Sequence, residues 1–250
     1  MTGSEEPPLP ASAGGLIAYA LARYADRFGF YALLALADFA VSAGALLLVP
    51  GSPGLVTGLQ ILSDAFIVGA VAIGVASHRD GVTAPARSIA ASATARWGAV
   101  AIAGTIGYAV FFLTGGSAGF APAGDRGEAL LVAVTAPAAW LLLTAVFLGE
   151  PAAALSGDDV IAAGFTGVAR AVAVSLRVRT LLRLALLAVL TVGPAFAEHV
   201  AMGALKARGV ANPGLYGLGW DALISGPLAA IQTVFLLAFV RESAQPHRDG

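Results

Sequence analysis

Two aspartates lie where a bilayer would have to accommodate them. Asp38 sits inside the oily run YALLALADFAVSAGALLLVP (31–50), and Asp64 inside LQILSDAFIVGAVAIG (59–74). A charge at membrane depth is costly unless it is paired or hydrated, so each asks for a counter-charge, a proton or water. The runs are joined by the turn VPGSPG (49–54), which allows their depths to be compared. Asp38 is twelve residues before Pro50 and Asp64 ten after Gly54, so at 1.5 Å per residue they are level to within about 3 Å. Facing one another they would share a proton or hold a cation, because two like charges in low dielectric do not both stay ionised.

A second partner is basic. The uninterrupted apolar run 184–197 has fourteen residues and is too short to cross alone. To cross, its helix must take in Arg183 and Arg179, four apart and therefore on one face. Arg183 then falls near the depth of Asp38, and the preferred account is an Asp38–Arg183 pair inside the bundle, neutralising both. A third arrangement has both aspartates lining a small polar pocket with Ser42, Gln60 and Ser63.

The elements that hold these residues follow from composition. The chain has 250 residues, 58% of them hydrophobic and 12% charged, with a mean hydropathy of +0.84. Soluble domains carry about 25% charged residues, so the chain belongs among membrane proteins. Its abundance of Ala and Gly suits close helix packing in lipid and disfavours a β-barrel, whose strands alternate apolar and polar residues. There is no cysteine, which excludes thiol catalysis and thiolate metal sites. Three histidines far apart, His78, His199 and His247, argue against a histidine metal site. No metal and no cofactor is expected, and a net charge of −1 gives no reason to expect nucleic acid.

The fold class is therefore an all-α polytopic membrane protein with six spans, at about 31–50, 55–77, 97–115, 129–149, 178–197 and 221–240. Each is near the ~20 apolar residues that cross a bilayer. Residues 1–13 read as a disordered polar tail, 14–240 as one membrane domain and 241–250 as a polar tail. The stretch GGLIAYALARYADRFGF (14–30) reads as an amphipathic helix at the interface, feeding the first span. Residues 156–179 read as a surface helix with Ser156 as N-cap and Asp158 and Asp159 at its positive end. Pro137, Pro194 and Pro227 fall within spans four to six, as helix breaks of the transporter kind or as plain kinks.

Eleven basic residues lie on the N-terminal side, Arg170, Arg177, Arg179 and Arg183 among them, against Arg126, Lys206 and Arg208 opposite. This places both termini in the cytoplasm. Arg170 and Arg177 are also candidates to touch lipid headgroups or an acidic partner. Thirteen arginines against one lysine, among so much Ala and Gly, fit a high-GC bacterial genome and hence a bacterial inner membrane.

Enzyme patterns fail on inspection. RDGVTAPAR (79–87) has Pro85 where the Asp-Gly-x-x-Ala-Arg run of CDP-alcohol phosphotransferases needs arginine, and lacks that family's further aspartates. No serine sits in a nucleophile elbow. Glu198 and His199, at the end of span five, read as an interfacial polar pair. No catalytic residue is assigned.

The order of parts resembles the six-helix membrane domain found before some bacterial glycerophosphodiester phosphodiesterases, and related stand-alone membrane proteins. The likeness rests on LIAYALARYADRFGFYALLAL running into span one, Gly81 and Ser88 after span two, Glu150 closing span four, and GVARAVAVSLRVRTLLRL entering span five. It implies a six-span anchoring module in contact with lipid, without hydrolase activity. The leading expectation is a non-catalytic accessory or scaffold subunit of a larger membrane complex. Small-residue faces at Gly69 and Ile73 and at Gly98, Gly104 and Gly107 would meet its partners, other membrane subunits and lipids. The alternative is a small transporter or proton/ion-coupled carrier using Asp38 and Asp64.

Overall fold

The computed structural model describes residues 9–49, 52–78, 84–113, 126–177 and 180–244, with the backbone alone at 53, 126–134 and 199. These residues form helices and no strand: α1 (Ala13–Ala25), α2 (Phe28–Leu48), α3 (Pro53–Ala76), α4 (Ala86–Leu113), α5 (Arg126–Phe147), α6 (Gly149–Leu155), α7 (Val160–Ser175), α8 (Leu181–Ala207) and α9 (Gly214–Ala244). Six stretches are long and apolar enough to cross a membrane: α2, α3, α4, α8, α9 and residues 135–155 of α5 and α6. Most of the expected N-terminal tail, Arg179, Gly81 and residues 245–250 lie outside the described residues.

Local chemistry sets several boundaries. Ser12 Oγ accepts the Gly15 N–H at 3.1 Å and starts α1, while Pro53 opens α3 at a position where its missing N–H costs nothing. Asp159, not Ser156, caps α7: its carboxylate accepts the N–H groups of Ile161 and Ala162 at 3.1 and 3.0 Å. An ionised oxygen is the stronger acceptor for such donors. Ser156 instead closes α6 and donates to Asp158 at 2.9 Å. Helices α8 and α9 outrun the expected spans, with 27 and 31 residues. They continue through Pro194 and Pro227, as α5 does through Pro137.

Glycines act as sockets between these helices. The Phe147 ring lies over Gly107, the Tyr31 hydroxyl over Gly74 and Tyr24 over Gly226. At Gly167 an added Cβ would stand 2.8 Å from the Ala153 nitrogen. Helix α7 is therefore half-sunk against α4 and α6, burying Ala163, Gly164, Gly167 and Ala171 and leaving Ile161 and Phe165 outward. Helix α1 lays Leu16, Ala20 and Tyr24 inward and packs chiefly on α9. The central core comprises Val71, Leu148, Leu187, Val234, Phe235 and Phe239.

Candidate functional site

Ser63 fixes the relation between the two aspartates. Its hydroxyl donates to Asp38 in a very short contact, so α2 meets α3 one residue from Asp64 and the two acids share a level. Ser42 also donates to Asp38, at 3.4 Å. Asp38 is 6% exposed, held by hydroxyls rather than by a cation.

Arg183 is elsewhere, and the expected Asp38–Arg183 pair does not form. Arg183 pairs with Glu242 at the end of α9 and donates to the Ala11 carbonyl at 2.7 Å. The reason is geometric: α8 begins at Leu181, so Arg183 stands in its first turn, beside the C-terminal end of α9. Arg177 is exposed and reaches the Ser243 carbonyl at 3.4 Å. Arg170 is exposed on α7.

Asp64 has different company. It lines a cavity of about 530 Å³ together with Glu150, Glu198 and Asp221, one carboxyl from each of α3, α6, α8 and α9. Gln60, Tyr108, Ser225 and Gln232 supply the other main polar groups, and no Arg, Lys or His lines the cavity among the described residues. Gln60 donates to Asp221 at 2.8 Å. Glu198 and Asp221 are within hydrogen-bond reach of one another. Glycines make room for two of the acids: Glu150 lies over Gly104 of α4 and Glu198 over Gly217 of α9. Asp64 Oδ1 and Ser225 Oγ are buried and have no hydrogen-bond partner.

The cavity has a direction. Along α3 it runs from Thr57 to Val68, about 16 Å at 1.5 Å per residue. It thus occupies the half of the bundle next to the α2–α3 and α8–α9 connections, while the core around Val71, Phe235 and Phe239 fills the other half. Aromatic side chains come from α4 and α5, where Tyr108 and Phe147 meet edge to face at 5.8 Å.

The opposite end carries charge in another form. Arg23 contacts both His78 and Asp26, and Asp26 stands 3.5 Å from His78 Nδ1. Burial, and then the Arg23 guanidinium, push the His78 imidazole below its ordinary value, with Asp26 opposing. In the α6–α7 turn, the Ser156 and Thr166 hydroxyls hold the exposed Asp158 carboxyl below its usual range.

Sequence reasoning named Asp64 and Gln60 but missed three of the four acids as site residues. Glu198, expected at an interface, is inside α8, and Asp221, expected at a span end, is a full two turns into α9. A sign was available: both stand within about a helix length of Pro residues and next to long apolar runs that a helix can extend through. Comparison with protein-family models, with curated proteins and with solved structures gives no match.

Proposed function

We propose that this chain is a small membrane carrier whose acid-lined cavity binds a cation and exchanges it for protons. The observation that carries the reading is the cavity itself: four carboxyls from four helices, no basic side chain in the lining among the described residues, and a buried Asp64 oxygen without a partner. Carboxyls in apolar surroundings without a fixed counter-charge are balanced by something exchangeable, a proton or a cation. A core plug on one side of the cavity suits a carrier resting in one of its two states. The arginine-rich end supports placing both termini in the cytoplasm, in a bacterial inner membrane.

The small-residue faces offered for the scaffold reading are met from within the chain. Gly98, Gly104 and Gly107 are filled from within the chain, by Val160, Glu150 and Phe147, and Gly69 lies against Val100. Ile73 packs on the core. The likeness in layout to the phosphodiesterase-linked membrane domain enters only as a proposal of common architecture, and no phosphodiester chemistry comes with it.

The test is reconstitution of the full chain in vesicles that enclose a pH-sensitive dye. Imposed gradients of sodium, potassium and a set of organic ammonium ions should include one that changes luminal pH only when protein is present. Asp64→Asn should return that signal to the protein-free level. A folded chain that moves no protons with any of these gradients, or that purifies in stoichiometric complex with other membrane subunits, would sink the carrier reading.

A further inference from the structure

We propose that the cation is organic: a protonated amine or quaternary ammonium carried on an apolar, aromatic-sized body. This rests on the carrier reading above and names its substrate class.

Three observations favour an organic over an inorganic ion. The first is size. About 530 Å³ lies in the range of small-molecule cavities, roughly 300–1,000 Å³, whereas a bare metal ion needs only converging oxygens. Among the described residues no three acid or histidine side chains converge in that way. The carboxyls are instead spread around a larger space.

The second is the division of the wall. Tyr108, Phe111 and Phe112 of α4 and Trp140 and Phe147 of α5 supply aromatic surface, while α3, α8 and α9 supply Asp64, Glu198 and Asp221. Glu150 is brought to the cavity from α6, over Gly104. Aromatic faces attract cations within about 6 Å, most strongly when water is excluded. An ammonium on an apolar body satisfies both kinds of wall, and a hydrated alkali ion satisfies only one.

The third is the pair of unmet atoms. Asp64 Oδ1 and Ser225 Oγ lie buried at the cavity without hydrogen-bond partners. Few fixed polar points in an otherwise apolar wall are how such cavities orient a ligand. Asp64 supplies an acceptor for an N–H group or a counter-charge for a quaternary head.

The titratable groups that face this space are Asp64, Glu150, Glu198, Asp221 and Tyr108, with Asp38 behind Ser63. Binding of a fixed cation should therefore compete with protons and tighten as pH rises.

The probe is benzyltrimethylammonium, with its neutral carbon isostere neopentylbenzene (a tert-butyl group in place of the trimethylammonium head) as control. Binding to the purified full chain is read by tryptophan fluorescence and by calorimetry. We expect saturable binding at pH 8, weaker by about tenfold at pH 5.5, and unchanged by 100 mM sodium chloride. Trp140→Leu should weaken it by about tenfold, consistent with a desolvated cation–π contact, with Trp140→Phe retaining most of it. If Trp140→Leu does not fold, Asp64→Asn in the same assay serves instead and should weaken binding at pH 8 by about tenfold and flatten its pH dependence. Equal uptake of the neutral isostere, or no saturable binding, overturns the organic class. If sodium still drives proton movement in vesicles, the carrier reading survives that loss. Saturable binding with no proton movement under any gradient supports the site and overturns the exchange.

Discussion

The two ends of this bundle handle charge in opposite ways. At the end that holds α1, the end of α3, the start of α8 and the end of α9, carboxylates face basic side chains: Glu242 with Arg183, and Asp26 with Arg23 and His78. In the half that holds the cavity, Asp64, Glu150, Glu198 and Asp221 share space with amides, hydroxyls and one another. A fixed counter-ion makes a charge structural, because nothing leaves or arrives. Acids without one must be neutralised by something mobile, and mobility is what a carrier needs. The difference teaches that the same residue type is glue at one end and a candidate site at the other.

The sharpest way to break the comparison is to neutralise one acid from each half. Asp64→Asn should abolish cation–proton exchange while leaving thermal stability unchanged or raised, since it replaces a buried ionisable carboxyl, one oxygen of which has no partner, by a neutral amide of the same shape. Glu242→Gln should do the reverse. Its pair with Arg183 is roughly a quarter to a third exposed, 26% and 33%, so the loss is discounted to about 1–2 kcal/mol in detergent unfolding. Exchange should persist. Exchanging the two residues, Arg183→Glu with Glu242→Arg, should recover much of that stability. If Asp64→Asn instead unfolds the protein and leaves transport in the remainder, the division between the two halves is wrong.

A smaller effect separates packed glycines from open ones. Gly167→Ala would put a Cβ 2.8 Å from the Ala153 nitrogen and 3.0 Å from the Gly149 carbonyl, both backbone atoms that cannot turn aside. Overpacking of this kind costs about 1–3 kcal/mol. At Gly69 the nearest atom is a Val100 methyl at 3.6 Å, an ordinary contact. There alanine should be neutral or slightly stabilising, because it is the better helix former. Melting temperatures of the two variants, measured side by side in one detergent, decide the point. A large loss at Gly69 would show that this face meets something outside the chain.

The fold was legible and the site only in part, for reasons that differ by residue. Six spans follow from apolar runs and turns, because lipid obliges each run to satisfy its own backbone as a helix. The level of Asp38 and Asp64 was readable because both are counted from one short turn. The partner of Arg183 was not, since depth along a helix says nothing about which way a long side chain leaves it. Glu198 and Asp221 were hidden by the counting rule itself. A run of apolar residues ends at the first acid, whereas α8 and α9 carry on past theirs because neighbouring helices receive the side chains. Glycine sockets were equally hidden: a small residue in sequence shows that something can come close, but not that Phe147 or Glu150 of the same chain does so.

The smallest predicted effect probes the paired end by pH. The His78 side chain is 4% exposed at the end of α3, with Asp26 beside one ring nitrogen and Arg23 at the other. Burial and the neighbouring guanidinium lower its pKa in the folded chain, more than Asp26 raises it. In the unfolded chain it titrates near 6.5. Above that value the imidazole is neutral in both states and contributes nothing. As pH falls through about 6.5 the unfolded state takes up its proton first, so stability declines until the folded imidazole is protonated as well. His78→Gln keeps a side chain able to meet Arg23 but cannot titrate. Between pH 7.5 and 5.5 the wild type should therefore lose more thermal stability than the variant, while above pH 7.5 the two curves run parallel. Acids in the cavity titrate identically in both proteins and cancel in that difference. Parallel curves across the whole range would mean that His78 accepts its proton as readily folded as unfolded, and that the arginines at this end do not set its charge.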